Sequence, residues 1–421
     1  MKVIGIVAEY NPFHNGHAYQ LRQAKERFQA DAVVVVMSGN FTQRGTPAIF
    51  DKDSRAKMAL SCGADLIFEL PAVFSTASAQ LFAKGGVSLL HATGVVDQLL
   101  FGCETEDISL FEAAADALQE ESEADQALLR ESLAAGNTYA RARAEALSSP
   151  ALADFLSTPN NLLGAEYVRA LKQLNSPIRP VCLKREGSQY HDTAPAGGFI
   201  SASGFRRLFY SCNGNFQEPI EAYTPKPVHK LLLEKLTACE DIYPNDVSAL
   251  LHARLYETED FSVYSDCSQA LSNKIVKYRD EYVNFEQFCD LLKSRDLTLA
   301  RIRRALCHIL LDIKKEDAAP ILFGERPPYL HILGFNETGS RLLSEIRRNA
   351  DAAGIPLFLM AKEADSLLSK EAAGCFARDL YAANLYRVLL TKNTSRSYPT
   401  EYTKKYSFAA DASSDGTDGC L

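Results

Sequence analysis

The stretch VIGIVAEYNPFHNGHAYQLRQAKERFQADAVVVVMSGN, Val3 to Asn40, decides the fold. It opens with Val3 to Ala8, an unbroken apolar run of the kind a strand carries when both faces of a parallel sheet bury it. Ala18 to Gln29 then reads as a helix, and Ala32 to Met37 repeats the buried-strand signal before Ser38-Gly39-Asn40 ends it. Strand, helix and strand make one βαβ unit. The alternation continues with a helix around Asp53 to Cys62 and a strand at Asp65 to Leu70 that Pro71 stops. A helix from about Ser78 to Thr93 and a strand at Gln98 to Phe101, ending in Gly102, follow. This order predicts an α/β fold built on a Rossmann-like parallel sheet.

Residues 104–147 are rich in Ala, Glu, Asp and Arg and carry no strand signal, which predicts a helical insertion with a solvated acidic face. The α/β pattern resumes with a helix near Leu162 to Leu174, a strand at Ile178 to Leu183 and a helix entered at Ser201 to Gly204. From about Pro225 helical patterns dominate, as in Val228 to Leu236, Phe285 to Leu292 and Ala300 to Ile313. Among them Pro328 to Phe335 and Pro356 to Ala361 read as strands on either side of a helix at Thr338 to Asn349. The expected organisation is a catalytic α/β domain over 1–220, a mostly helical domain with a small α/β element over 221–408, and a disordered acidic tail over 409–421.

With 421 residues, one compact module is not expected, since single cores seldom grow past roughly 250 to 300 residues. The chain carries 45 basic and 53 acidic residues, a formal net charge of -8, so nucleic acid must be met by a local patch and not by the whole-molecule field. Its 10 cysteines never form C-x-x-C, which argues against a zinc ribbon or a disulfide framework and fits a reducing, cytoplasmic setting. The longest aliphatic run, Ala32 to Met37, is too short to cross a bilayer, so no membrane association is expected.

Directly after the first strand comes Glu9-Tyr10-Asn11-Pro12-Phe13-His14-Asn15-Gly16-His17. A strand-to-helix turn in a parallel sheet brings backbone N–H groups and a positive helix end to one point, where phosphate binds. His14 and His17, one turn apart, would face that point and donate to phosphate oxygens as charge builds, and Gly16 would let the chain approach the ligand. No third metal ligand of suitable spacing sits nearby, so a zinc site is disfavoured and no metal residues are assigned. The run fits the H-x-G-H signature of the nucleotidylyltransferase and class I aminoacyl-tRNA synthetase superfamily. Ile200-Ser201-Ala202-Ser203-Gly204-Phe205-Arg206 resembles the I-S-x-T-x-x-R signature with which that superfamily holds the triphosphate from the other side. Ser201 and Ser203 also suit a helix N-cap, whereas a simple cap would not require Arg206.

Longer strings make the resemblance narrower. Val7 to His17, Met37 to Ala48, Asp51-Lys52 with Arg55 to Ala59, Asp65 to Pro71, Leu100-Phe101-Gly102, Pro159 to Tyr167, Leu183-Lys184-Arg185 with Tyr190-His191-Asp192, Arg301 to Leu311 and Ile332 to Asn336 resemble, in order, the bacterial tRNA(Met) cytidine acetate ligase family. The sequence departs from the family pattern at Ser294-Arg295-Asp296-Leu297, where a more basic, Tyr-containing segment is usual. The resemblance implies a two-step reaction. Acetate attacks Pα of ATP to give acetyl-adenylate and pyrophosphate, and the N4 amine of the wobble cytidine of elongator tRNA(Met) then takes the acetyl group, releasing AMP. His14, His17 and Arg206 are the implied catalytic residues. The family's ATP-binding positions map onto Val7, Ala8, Glu9, Tyr10, Asn11, Pro12, Phe13, His14, Asn15, Gly16, His17, Ala18, Tyr19 and Gln20, with Gly102, Asn161, Arg185 and the neighbours Asn160 and Glu186. Ser201 and Ser203 join them through the second signature, and Mg²⁺ is expected to accompany ATP.

Gln43, Arg44, Lys52 and Arg55 form a polar cluster that could line the acetate or nucleotide end. Arg301, Arg303 and Arg304, with Lys293, Arg295, Lys314 and Lys315 around them, are the expected tRNA phosphate track, and Lys392, Arg396, Lys404 and Lys405 a second basic stretch. Two other readings stay open at this level: a small-molecule adenylyltransferase of the same superfamily, and a catalytically silent RNA-binding protein.

Overall fold

The computed structural model describes residues 1–119, 150–185, 199–211, 215–294 and 297–404, with 127–129, 131, 132, 135 and 142 between the first two stretches. About half of the expected insertion over 104–147, together with Glu186, Tyr190-His191-Asp192, Arg295, Lys405 and the tail over 409–421, lies outside the described residues.

The chain forms β1 (Val3–Ala8), β2 (Ala32–Ser38), β3 (Leu66–Leu70), β4 (Gln98–Cys103), β5 (Arg179–Lys184), β6 (Leu330–Phe335) and β7 (Leu357–Phe358). They make a single 7-stranded sheet in the order β5-β4-β1-β2-β3-β6-β7. Every strand pair is parallel except β3 with β6, which is antiparallel. β2 shows why the apolar runs become strands: Val34 and Val36 enter one hydrophobic core while Val33, Val35 and Met37 enter the other. Both faces are covered, so polar alternation has no place in it. Moving from β1, the chain goes to β2 and β3 on one side and to β4 and β5 on the other. The order reverses between β1 and β4, and in such sheets the crevice at the carboxyl ends of these strands is where a ligand fits.

Within the C-terminal half, β6 pairs with β3 of the N-terminal half, so the sheet itself crosses residue 220. Asn336, at the end of β6, caps the Glu337–Ala353 helix by accepting from Gly339 N at 2.9 Å and donates to Asp65 Oδ1 at 2.9 Å. The strand expected over Pro356 to Ala361 reduces to Leu357–Phe358, because Ala361 already opens the next helix.

Of the polar cluster expected near the acetate or nucleotide end, Lys52 and Arg55 fold inward, while Gln43 and Arg44 stay half-buried. Arg55 is 0% exposed and donates to four main-chain carbonyls: those of Glu9, Ser38, Gly39 and Phe50. It thereby clamps the carboxyl ends of β1 and β2 together. Lys52, also buried, pairs with Glu69 at 2.7 Å and Glu401 at 3.1 Å, and Glu69 accepts from His331 Nδ1 at 2.8 Å. Burial opposes the Lys52 charge, but Glu401, Glu69 and Asp53 outweigh it and push the ammonium well above its ordinary range. A desolvated cation needs such partners, and that is why these residues serve the interior and not a ligand.

Candidate active site

The turn after β1 is built on its two histidines. His14 is the N-cap of the Asn15–Glu26 helix, and its Nδ1 accepts from Gly16 N at 3.0 Å. His17 reaches back, its Nδ1 accepting from His14 N at 3.3 Å, so the pair forms a reciprocal capping box from imidazoles alone. Their rings stack with centroids 3.7 Å apart and a tilt of 23°. Gly16 makes the stack possible: a Cβ there would lie 2.9 Å from His14 Cε1. Tyr10 and Phe13, buried beneath, hold His17 with ring centroids at 4.9 and 5.6 Å.

The bonding assigns protonation. A ring nitrogen that accepts from a backbone N–H carries no proton, so each neutral imidazole holds its hydrogen on Nε2. Burial, reinforced by Arg185 and Arg206, lowers His14 to about 3. Burial, then His14 and Arg185, lowers His17 well below the ordinary imidazole value. Both rings are thus neutral Nε2–H donors beside two fixed guanidinium cations. Unfolded, the imidazoles take up protons near pH 6.5, while the folded ones do not. Their contribution to stability is therefore full above about pH 6.5 and lost as pH falls, at about 1.4 kcal/mol per pH unit for each ring. Urea unfolding between pH 8 and 5 is expected to show this slope, and a His14→Asn/His17→Asn variant is expected to lack it.

The histidines open onto a cavity lined by His14, Gly16, His17, Tyr19, Gln20, Gly102, Leu183, Lys184, Arg185, Phe199 and Ile200. Its walls come from the ends of β1, β4 and β5, the place where the strand order reverses. Gln20 donates to Leu100 O at 3.2 Å and ties the helix to β4, and Arg185 N donates to Cys103 O at 2.9 Å. Gly102 lies between them with Arg185 Cγ 3.4 Å from where its Cβ would stand.

Of the expected residues, His14, Gly16, His17, Tyr19, Gln20, Gly102 and Arg185 meet at this cavity. Arg206 reaches the same turn from the Ala202–Ser211 helix, donating to Asn11 O at 2.6 Å and to Ser203 Oγ at 3.2 Å. Ser201 caps that helix, its Oγ accepting from Gly204 N at 3.1 Å. Replacing Ser201 by Ala is expected to cost about 1 kcal/mol in urea unfolding. Asn161 is not on the wall. It is 1% exposed, accepts from Glu104 N and Thr105 N, and donates to Phe155 O, which shapes the loop leaving β4. Its neighbour Asn160 accepts from Arg185 at 3.4 Å and donates to Glu104 at 2.5 Å, so this helix start steers Arg185. Asn11 Oδ1 accepts from Ile49 N, Glu9 Oε1 accepts from Gln43 N, and Ala18 is buried, so these three serve the turn's framework. Leu183, Lys184, Phe199 and Ile200 also line the cavity, although the sequence assigns them no ligand-binding role; Lys184 adjoins Arg185 and Ile200 adjoins Ser201, while Leu183 and Phe199 lie one residue further away.

The expected phosphate track is largely committed within the protein. Arg304 pairs with Asp266 at 2.7 Å, Arg301 donates to Asp266 O at 3.2 Å, and Arg303 lies 3.6 Å from Glu286. Lys315 bonds main-chain carbonyls, Lys392 faces Asp246, and Lys404 sits between Asp53 and Glu401. Gly45 (φ +70°) explains why these arginines are held: a Cβ there would come within 2.4 Å of the Arg303 carbonyl carbon, so this helix packs directly on the loop after β2. Among the described residues no helix is long and apolar enough to cross a membrane.

A doubly wound sheet whose first strand runs into His-Asn-Gly-His defines a class, and the comparisons agree with it. A sequence model of the family described as HIGH Nucleotidyl Transferase matches residues 1–401. The chain is 36% identical over 420 residues to the tRNA(Met) cytidine acetate ligase of Acetivibrio thermocellus, covering 96% of this chain and 99% of that one. It is 37% identical to the protein of that name from a Thermoanaerobacter species, covering 94% and 97%. The crystal structure of Thermotoga maritima TmcAL bound with alpha-thio ATP superposes with a TM-score of 0.86 at 29% identity, covering 97% of this chain and 100% of that one. The apo form of the same protein gives 0.88 at 30% identity, with the same coverage. The chain belongs to the tRNA(Met) cytidine acetate ligase family of HIGH nucleotidyl transferases, and it is an enzyme.

Proposed function

We propose that the chain activates acetate with ATP and acetylates N4 of the wobble cytidine of elongator tRNA(Met). The observation that carries this reading is the stacked His14–His17 pair, two neutral Nε2–H donors at the cavity with Arg185 and Arg206 beside them. Donors fixed in advance stabilise charge as it develops without having to reorganise. An acetate oxygen attacks Pα, the Pα–O bond to the β-phosphate breaks, and pyrophosphate leaves with the electron pair. The imidazoles donate to the α- and β-phosphate oxygens, and the guanidinium of Arg185 or Arg206 pairs with the departing phosphates. The cytidine N4 amine then attacks the acetyl carbonyl carbon, AMP leaves, and one proton goes to solvent. The Thermotoga maritima TmcAL relative is bound with alpha-thio ATP, which supports ATP as the nucleotide used.

Mg²⁺ would come with the triphosphate and neutralise part of its charge. A small, hard cation of this kind is held mainly by substrate phosphates and water, so it is assigned to the nucleotide. The test is to incubate the enzyme with ATP, Mg²⁺, acetate and tRNA and digest the RNA to nucleosides. N4-acetylcytidine is expected only in the complete mixture and only from elongator tRNA(Met). Its absence there, or its formation without acetate, would overturn the reading.

A further inference from the structure

An enzyme that modifies the edge of a base must first free that base from its stack, and proteins hold freed bases on aromatic faces. The helix that brings Arg206 to the histidine turn carries Tyr210 four residues on, which places the two side chains on one face about 6 Å apart along the axis. Tyr210 is 49% exposed. One side of its ring rests on Tyr243, with centroids 4.2 Å apart and a tilt of 47°. Arg206 and Arg303 are its positive neighbours and Glu286 and Asp246 its negative ones, with Arg303 shared with Glu286. Of the other exposed tyrosines, Tyr256 bonds Asp280 beneath Arg279, Tyr402 bonds Asp365, and Tyr381 lies on the Lys370–Thr394 helix.

We propose that the free face of Tyr210, backed by Tyr243, receives a nucleobase of the RNA substrate that has left its stack next to the acylation centre. This subsite rests on the reading above, since it needs an RNA acceptor. Tyr243 fixes the ring, so little side-chain freedom is lost when a base arrives. Arg206, one turn back, donates to Asn11 O in the histidine turn at 2.6 Å, so a base on Tyr210 lies on the helix face that leads to that turn.

The experiment compares wild type, Tyr210→Phe and Tyr210→Ala by one ratio: acetyl transfer to tRNA (kcat/KM) over acetate-dependent ATP–pyrophosphate exchange without RNA. Loss of one base–aromatic stack predicts a ratio lower by about 5- to 150-fold in Tyr210→Ala, with Tyr210→Phe within about twofold of wild type. An unchanged ratio in Tyr210→Ala, or a loss in Tyr210→Phe as large as that in Tyr210→Ala, would overturn the subsite. If Tyr210→Ala fails to fold, Tyr210→Leu takes its place, keeping bulk without an aromatic face. Wild-type enzyme that transfers no acetyl group to tRNA would instead overturn the underlying function. Filter binding of the same tRNA would then decide the subsite, with weaker binding to Tyr210→Ala expected and equal binding contradicting it.

Discussion

Replacing His17 by Ala is expected to lower acetate-dependent turnover by about 10² to 10³ while the protein remains folded. The side chain has two roles, and both are lost. Its Nε2–H is one of two donors proposed for the developing phosphate charge, and its Nδ1 accepts from His14 N, completing the capping box. The His14 ring keeps its bond from Gly16 N but loses the ring stacked on it at 3.7 Å, so the second donor is less firmly aimed. His17→Asn separates the two roles: its side-chain oxygen can still cap, so it is expected to restore stability but not turnover. The readout is kcat for pyrophosphate release together with the urea midpoint. Wild-type turnover in a folded His17→Ala protein would remove the imidazole pair from the chemistry.

The second large effect concerns stability. Glu69→Ala is expected to cost about 3 to 5 kcal/mol in urea unfolding, the range found when one partner of a buried ion pair is removed. Glu69 is 3% exposed and receives Lys52 through both oxygens, at 2.9 and 2.7 Å, and His331 at 2.8 Å. Burial alone would raise its carboxyl, but Lys52 and His331 hold it below the usual carboxylate range. Its stabilising share is thus present above the unfolded value near pH 4.5 and lost as pH falls toward the folded one. Removing it leaves Lys52 with Glu401 and the more distant charge of Asp53, and strips the acceptor from His331. Glu69 joins β3 to β6, so the substitution also loosens the attachment of the C-terminal half to the sheet. A loss below about 1 kcal/mol would show that the network is neutral overall.

How far the sequence reveals this arrangement depends on how local the cause is. β1 appears in the sequence with its observed bounds because six apolar residues buried on two faces need no partner to be recognised. The first helix starts at Asn15, earlier than its periodicity suggests, because its cap is a histidine and not one of the Ser, Thr, Asp and Asn residues that usually mark such starts. The His14–His17 motif and Gly102 are legible as motif and strand end, but the Nε2–H state of both rings emerges only from the distances. Lys52 and Arg55 read in sequence as ligand-facing polar residues and not as interior ones, since their partners Glu69, Glu401 and the ends of β1 and β2 are distant in sequence. The same distance hides the pairing of β6 with β3. The Lys370–Thr394 helix has no reading in the sequence, its pattern being interrupted at Asp379, a buried carboxyl that accepts from Tyr329 and from Ala72 N.

The central claim is that a carboxylate oxygen of acetate bonds to Pα of ATP at the histidine turn. Doubly ¹⁸O-labelled acetate tests it most directly, with ATP, Mg²⁺ and tRNA in a single incubation and mass analysis of the nucleotide product. AMP carrying one ¹⁸O is expected, released in equal amount with acetylated tRNA, and no such AMP is expected from His14→Ala/His17→Ala enzyme. Unlabelled AMP, or ADP and phosphate in its place, would contradict it.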